Sequence, residues 1–120
     1  MKDVKKLIEE YRNAAILQKE ASSDGDYRTA NKQYSRLTKI YKILEKDKDL
    51  REKVLRELLK DENIYVSSWA AAHCLGLNIY VDEAVKLLEE IAKRKDIGIL
   101  RLDAEMTLKV WREEGQLKFY

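Results

Sequence analysis

The sequence predicts an all-α domain, and three observations carry that prediction. No proline occurs in 120 residues, where ordinary usage would supply about six. Glycine is limited to Gly25, Gly76, Gly98 and Gly115. Sheets joined by tight turns consume both residue types, whereas helix interiors exclude them. Apolar residues also recur at steps of three and four along most of the chain, the period of an amphipathic helix.

Val4, Leu7, Ile8, Tyr11 and Ala15 define a first helix over about residues 2–21. The run SSDGD that follows is a turn, with Gly25 free to take a positive φ and an aspartate placed to cap the next helix. A second helix over about 27–46 carries Tyr27, Ala30, Tyr34, Leu37, Tyr41 and Leu44 on one stripe, widened by Ile40. All the aromatics of that helix are expected on its buried side. Two long helices with so short a link form an antiparallel hairpin. After EKDKDL, a third helix spans about 50–60 on Leu50, Val54, Leu55, Leu58 and Leu59. Asn63 caps a fourth, 64–77, and a fifth runs from about Asp82 to residue 94. Asp96 is expected to cap a sixth over 97–114, closed by Gly115.

Composition narrows the function classes. The length suits a single domain over residues 1–120 with one core. No apolar run reaches the roughly 20 residues that span a bilayer. Charges interrupt the opening MKDVKKLIEEYR, which argues against a secretory leader and makes the cytoplasm the expected location. One cysteine and one histidine provide neither an internal disulfide nor a zinc ligand set, and no cofactor is expected. The net charge of +2 divides unevenly, about +5 over residues 26–60 and −3 over 61–97.

The second half repeats itself. A shift of 33 positions carries Val54 and Leu55 onto Leu87 and Leu88, and Leu58 and Leu59 onto Ile91 and Ala92. The same shift carries Asn63 onto Asp96, Val66 onto Ile99, Ala71 onto Ala104 and Leu75 onto Leu108. The chain therefore divides into a long hairpin over 1–46, one helix pair over 50–78, a second over 82–115 and a tail over 116–120. A single helix pair cannot bury both its faces, so neighbours must stack, with the hairpin closing one end.

DENIYVSSWAAAHCLG, residues 61–76, resembles the HEAT-repeat consensus: an acidic turn, then V-x-x-x-A-A and a Leu-Gly. It departs in placing Leu75-Gly76 about one residue late and in having Ser67 where an arginine often follows the valine. ANKQY, VSSWAAAHCL, DAEMTLKVW and REEGQL together resemble a bacterial family of small HEAT-like domains of unknown function, over nearly the whole chain. The resemblance implies a HEAT-like α-α superhelix. Some members of that family resemble immunity proteins of polymorphic or contact-dependent toxin systems, which implies a protein partner of the toxin-domain kind, held by a monomer or weak dimer.

Candidate residues each have a plain reading and a functional one. Adjacent helical residues such as His73 and Cys74 point about 100° apart and do not face each other, so they read as packing rather than as a nucleophile and its base. His73 is expected to be semi-buried and hydrogen-bonded, with a partner contact as its second reading. Asp103 falls on an apolar stripe with Ile99, Leu102, Met106 and Val110, so it pairs within the fold or serves a binding groove. Trp69 reads first as core, while Trp111 is evenly placed between core and interface anchor. The tail GQLKFY either folds back as a lid over the final helix pair, the preferred reading, or presents an apolar strip to another chain. Arg28, Lys32, Arg36, Lys39, Lys42 and Lys46 share about 120° of the second helix. That basic stripe reads first as a solvated face. The alternative is a surface for nucleic acid, whose signature would be binding that weakens steeply with salt. The leading expectation is a non-enzymatic protein-binding module of the immunity type.

Overall fold

The computed structural model describes residues 3–120. They form six α-helices: α1 Val4–Ser23, α2 Tyr27–Lys46, α3 Lys48–Leu59, α4 Ile64–Leu77, α5 Val81–Lys93 and α6 Ile99–Glu114. No strand occurs among the described residues, and the all-α prediction holds with all six helices in place. The expected first helix began at residue 2, which lies outside the described residues.

Side-chain caps explain four of the six starts. The Asp3 carboxylate accepts from the Lys5 and Lys6 amides, Asp26 from Thr29, and Asp47 from Leu50. Asn63 Oδ1 accepts from the Tyr65 and Val66 amides at 2.9 and 3.3 Å. Each bond satisfies a donor that the first helical turn leaves free.

Of the last two helices, α5 starts as expected, with Asp82 and Glu83 in its first turn, and α6 does not. Tyr80 stands before α5 in the left-handed region at φ 49°, with no side-chain cap. Its hydroxyl donates to the Glu52 carbonyl at 3.1 Å and accepts from Arg56 Nε, which fixes the residue in that unusual backbone state. Asp96 does not cap α6. Arg94 takes both its carboxylate oxygens, at 3.0 and 2.7 Å, and the helix begins only at Ile99 after Gly98 at φ 57°. The ion pair with Arg94 thus competes successfully for the capping group, and α6 starts two residues later than expected.

The hairpin α1–α2 packs along its length, and α4 lies at the centre, touching α1, α3, α5 and α6. Its buried residues Val66, Ser67, Ser68, Ala70, Ala71, His73, Cys74 and Leu75 lie all round the helix, as a central helix requires. Ala14 and Ala15 of α1 are fully buried, as are Ala70 and Ala71, and their small side chains permit close backbone approach. Arg12 on α1 forks onto Asp61, which ties the hairpin to the turn before α4.

Beyond Gly115, whose φ of 72° reverses the chain, the tail folds back. It does so as a lid, although on α2 and α4 and not over the final helix pair as expected. Phe119 packs against His73 and Tyr41, with ring centroids 4.6 and 5.0 Å apart. Tyr120 bonds the Glu45 carboxylate and lies under the Lys42 ammonium. Gly76 admits this contact: a Cβ there would stand 2.7 Å from Tyr41 Oη and 2.8 Å from Phe119 Cε2.

Gly76→Ala therefore forces one of these neighbours to move, and Phe119, half-buried on the tail outside any helix, yields before the buried Tyr41. Overpacking costs about 1–3 kcal/mol and the gain in helix propensity returns about 1. The expected result is a small net loss of stability in denaturant unfolding, with much faster cleavage within residues 116–120 by a non-specific endoprotease. Unchanged tail digestion would show that the ring contact does not hold the tail.

Candidate functional site

Beside α4 lies a groove of about 340 Å³. Its floor is one stripe of α4, formed by Tyr65, Ser68, Trp69 and Ala72. Positions spaced by three and four share a helix face, so local periodicity alone aligns these side chains. Gln18 and Lys19 of α1 and Tyr34 of α2 form one wall, and Leu100, Asp103, Met106 and Thr107 of α6 form the other. Phe119 of the tail closes one end. The mixture is mostly apolar and aromatic with a few polar groups, the usual composition of a binding cleft.

Behind the floor sits a sealed polar core. The Tyr11 hydroxyl and His73 Nδ1 are 2.7 Å apart in a buried hydrogen bond. Tyr11, Tyr41, Trp69 and Phe119 all pack their rings on the imidazole. Burial drives the His73 pKa down from 6.5 to about 3, and it raises the Tyr11 phenol well above its ordinary value. Both groups are neutral at physiological pH. The Cys74 thiol is pushed up to about 12, chiefly by burial and secondarily by the charge of Glu83. A thiol so disposed is a poor nucleophile.

The charges of the groove are arranged otherwise. Asp103 stands on the α6 wall, and no hydrogen bond or ion pair reaches its carboxylate among the described residues; the expected intramolecular partner is absent. Partial burial raises its pKa, and the nearby positive charge of Lys19 opposes that rise. Lys19 instead holds its ammonium over the Tyr65 ring, 5.2 Å from the centroid.

The candidate residues thus separate. Trp69 and Asp103 meet in the groove. His73 lies beneath it, only 1% exposed, so it acts through packing. Trp111 is half-buried against the core and takes no part in the groove lining. Of the basic stripe, Arg28, Lys32, Lys39, Lys42 and Lys46 are exposed, while Arg36 is half-buried and donates to Gln33 Oε1. The aromatics of α2 are not all buried as expected: Tyr27 is 71% exposed at the helix start, and Tyr34 reaches the groove. Tyr34, Tyr65, Lys19 and Met106 escaped the sequence reading as site residues. The α4 stripe of Tyr65, Ser68, Trp69 and Ala72 was a visible signal for Tyr65, but nothing local marked the α1 and α2 contributions.

No family model matches the sequence, and neither a curated protein nor a solved structure matches it.

Two measurements probe the sealed core. Cys74 should not react with a thiol-specific disulfide reagent at pH 8 in the native protein, and should react fully once denaturant is added; prompt native labelling would contradict its burial. For His73, the unfolded chain binds a proton near pH 6.5 but the folded chain not until about 3. Unfolding thus takes up a proton between those values, so stability is level above pH 6.5 and falls as pH drops below it. At about 1.4 kcal/mol per pH unit, the unfolding free energy should be about 2 kcal/mol smaller at pH 5 than at pH 7.5. His73→Gln should lose most of that difference, although its stability at pH 7.5 will be lower.

Proposed function

We propose that the chain is a non-enzymatic protein-binding module of HEAT-like superhelical build, and that its partner is a bacterial toxin domain which it blocks as an immunity protein. The observation that carries the binding reading is the groove itself. Its floor is a rigid helix stripe, and its α6 wall exposes large apolar side chains: Met106 is 58% exposed, and Leu102 at 50% and Ile99 at 60% continue the apolar surface along the same helix. Apolar side chains left open along a cleft mark a place where a partner is received. The successive helix pairs α3–α4 and α5–α6, together with the resemblance of residues 61–76 to a HEAT consensus, support the superhelical reading. Blocking by occlusion needs only a shaped surface, and helical-pair scaffolds supply one without a reactive group. In this reading the protein acts in the cytoplasm as a monomer or weak dimer.

The test is protection. The chain is co-expressed with candidate toxin domains, the first choice being the C-terminal domain of any large reading frame found immediately upstream of its gene, and survival and complex formation are measured. Protection and a stable complex are expected, and Trp69→Ala or Met106→Glu should reduce both by more than tenfold, since buried aromatic anchors carry about 2 kcal/mol or more each. No protection and no complex would end the immunity reading. Protection untouched by both substitutions would remove the groove from it.

A further inference from the structure

Asp103 restricts what can occupy the groove. The position equivalent to it in the first helix pair is Ala70, and the faces around the two differ sharply. Val66, Ala70 and His73 are buried, with His73 covered by Tyr11 and Tyr41 of the hairpin. Their counterparts Ile99, Asp103 and Met106 lie open. Any segment that covers Trp69 and Met106 also takes water from the Asp103 carboxylate. A carboxylate buried without a partner is strongly unfavourable, whereas one met by a cation is stabilised. The positive charge of Lys19 is felt at Asp103, but its ammonium stands over the Tyr65 ring and makes no ion pair with the carboxylate. The pairing position at Asp103 is therefore open to a positive charge brought by the occupant.

The form of the occupant follows from the floor and from α4. The face of α4 around His73 is covered by helices, and the open face of α6 offers the same spacing of apolar residues to another one. Ser68 and Ala72 on the floor leave room for a backbone to approach between the larger Tyr65 and Trp69. We infer that the groove receives an amphipathic helix of the partner protein whose apolar stripe is interrupted by one lysine or arginine, and that this residue pairs with Asp103. Aromatic neighbours strengthen the selection, since Trp69 and Tyr34 can take the aliphatic stem of such a side chain or stack on a guanidinium. The inference rests on the groove being the binding surface and adds the chemistry of what binds.

The probe is a set of helical peptides of about 15 residues with leucines at the i, i+3, i+4 and i+7 positions, in which one lysine, or one glutamate, is stepped through the stripe. Binding to the intact protein is measured by calorimetry. At least one lysine peptide should bind about tenfold or more tightly than its glutamate counterpart, Asp103→Lys should reverse that preference, and Met106→Glu should abolish binding of both. Generic attraction cannot mimic this result, because the chain's net charge of +2 favours the glutamate peptides. Absence of binding, equal binding of each pair, or a lysine preference that persists in Asp103→Lys overturns the inference. If Met106→Glu removes peptide binding but no lysine preference exists, the groove remains the surface and only the charge assignment falls. Peptide binding indifferent to Met106→Glu rejects both.

Discussion

The hydrogen bond between Tyr11 and His73 is the contact on which the rest of the molecule is organised. It joins helices α1 and α4 across 62 residues of sequence, in a region from which water is excluded. Leaving either polar group there without its partner would cost about 1–3 kcal/mol, so the two helices are held in one relative position. That fixed position determines where Lys19 and Gln18 stand relative to the α4 stripe, and hence one wall of the groove. The rings of Tyr41, Trp69 and Phe119 complete the enclosure from α2, from α4 and from the tail. Trp69 thus belongs to both structures, packing on His73 with one part and lining the groove with another. The underside of the groove floor is this cage of rings.

How far the sequence revealed this arrangement depends on the range of the interaction involved. Helix existence was legible because periodicity and capping are local: Asp26 and Asn63 act on amides two or three residues away. Packing roles that depend on averages were legible too, and the central place of α4 followed from apolar residues on all its sides. Errors arose where a local rule met a competitor. Asp96 has the identity and position of a cap, but Arg94 binds it first. Tyr27 fits the apolar stripe of α2, yet it stands at the very start of the helix and is exposed. The groove was legible only as a space beside α4. Its walls come from segments 18–19, 34 and 100–107, which no sequence spacing connects.

The two helix pairs differ for a reason that can be weighed. If α6 closed on α4 as tightly as α4 closes on the hairpin, Met106 and Leu102 would lose the half or so of their surface that is now exposed. Full burial of such side chains is worth about 1.5–3 kcal/mol each, so closing them would stabilise the fold by about 2–3 kcal/mol in all. The same movement would strip water from Asp103. An unpaired carboxylate costs more than an unpaired neutral group, which already costs about 1–3 kcal/mol in proteins, and in practice it protonates or finds a cation. The two terms oppose each other at similar size, so Asp103 removes most of what closing the cleft would gain. At the equivalent position in the first pair, Ala70 carries no such cost, and that face is buried. An acid on one face and a small apolar residue on the other thus go with an open surface and a packed one, and the charge of Asp103 weighs against closing α6 over it.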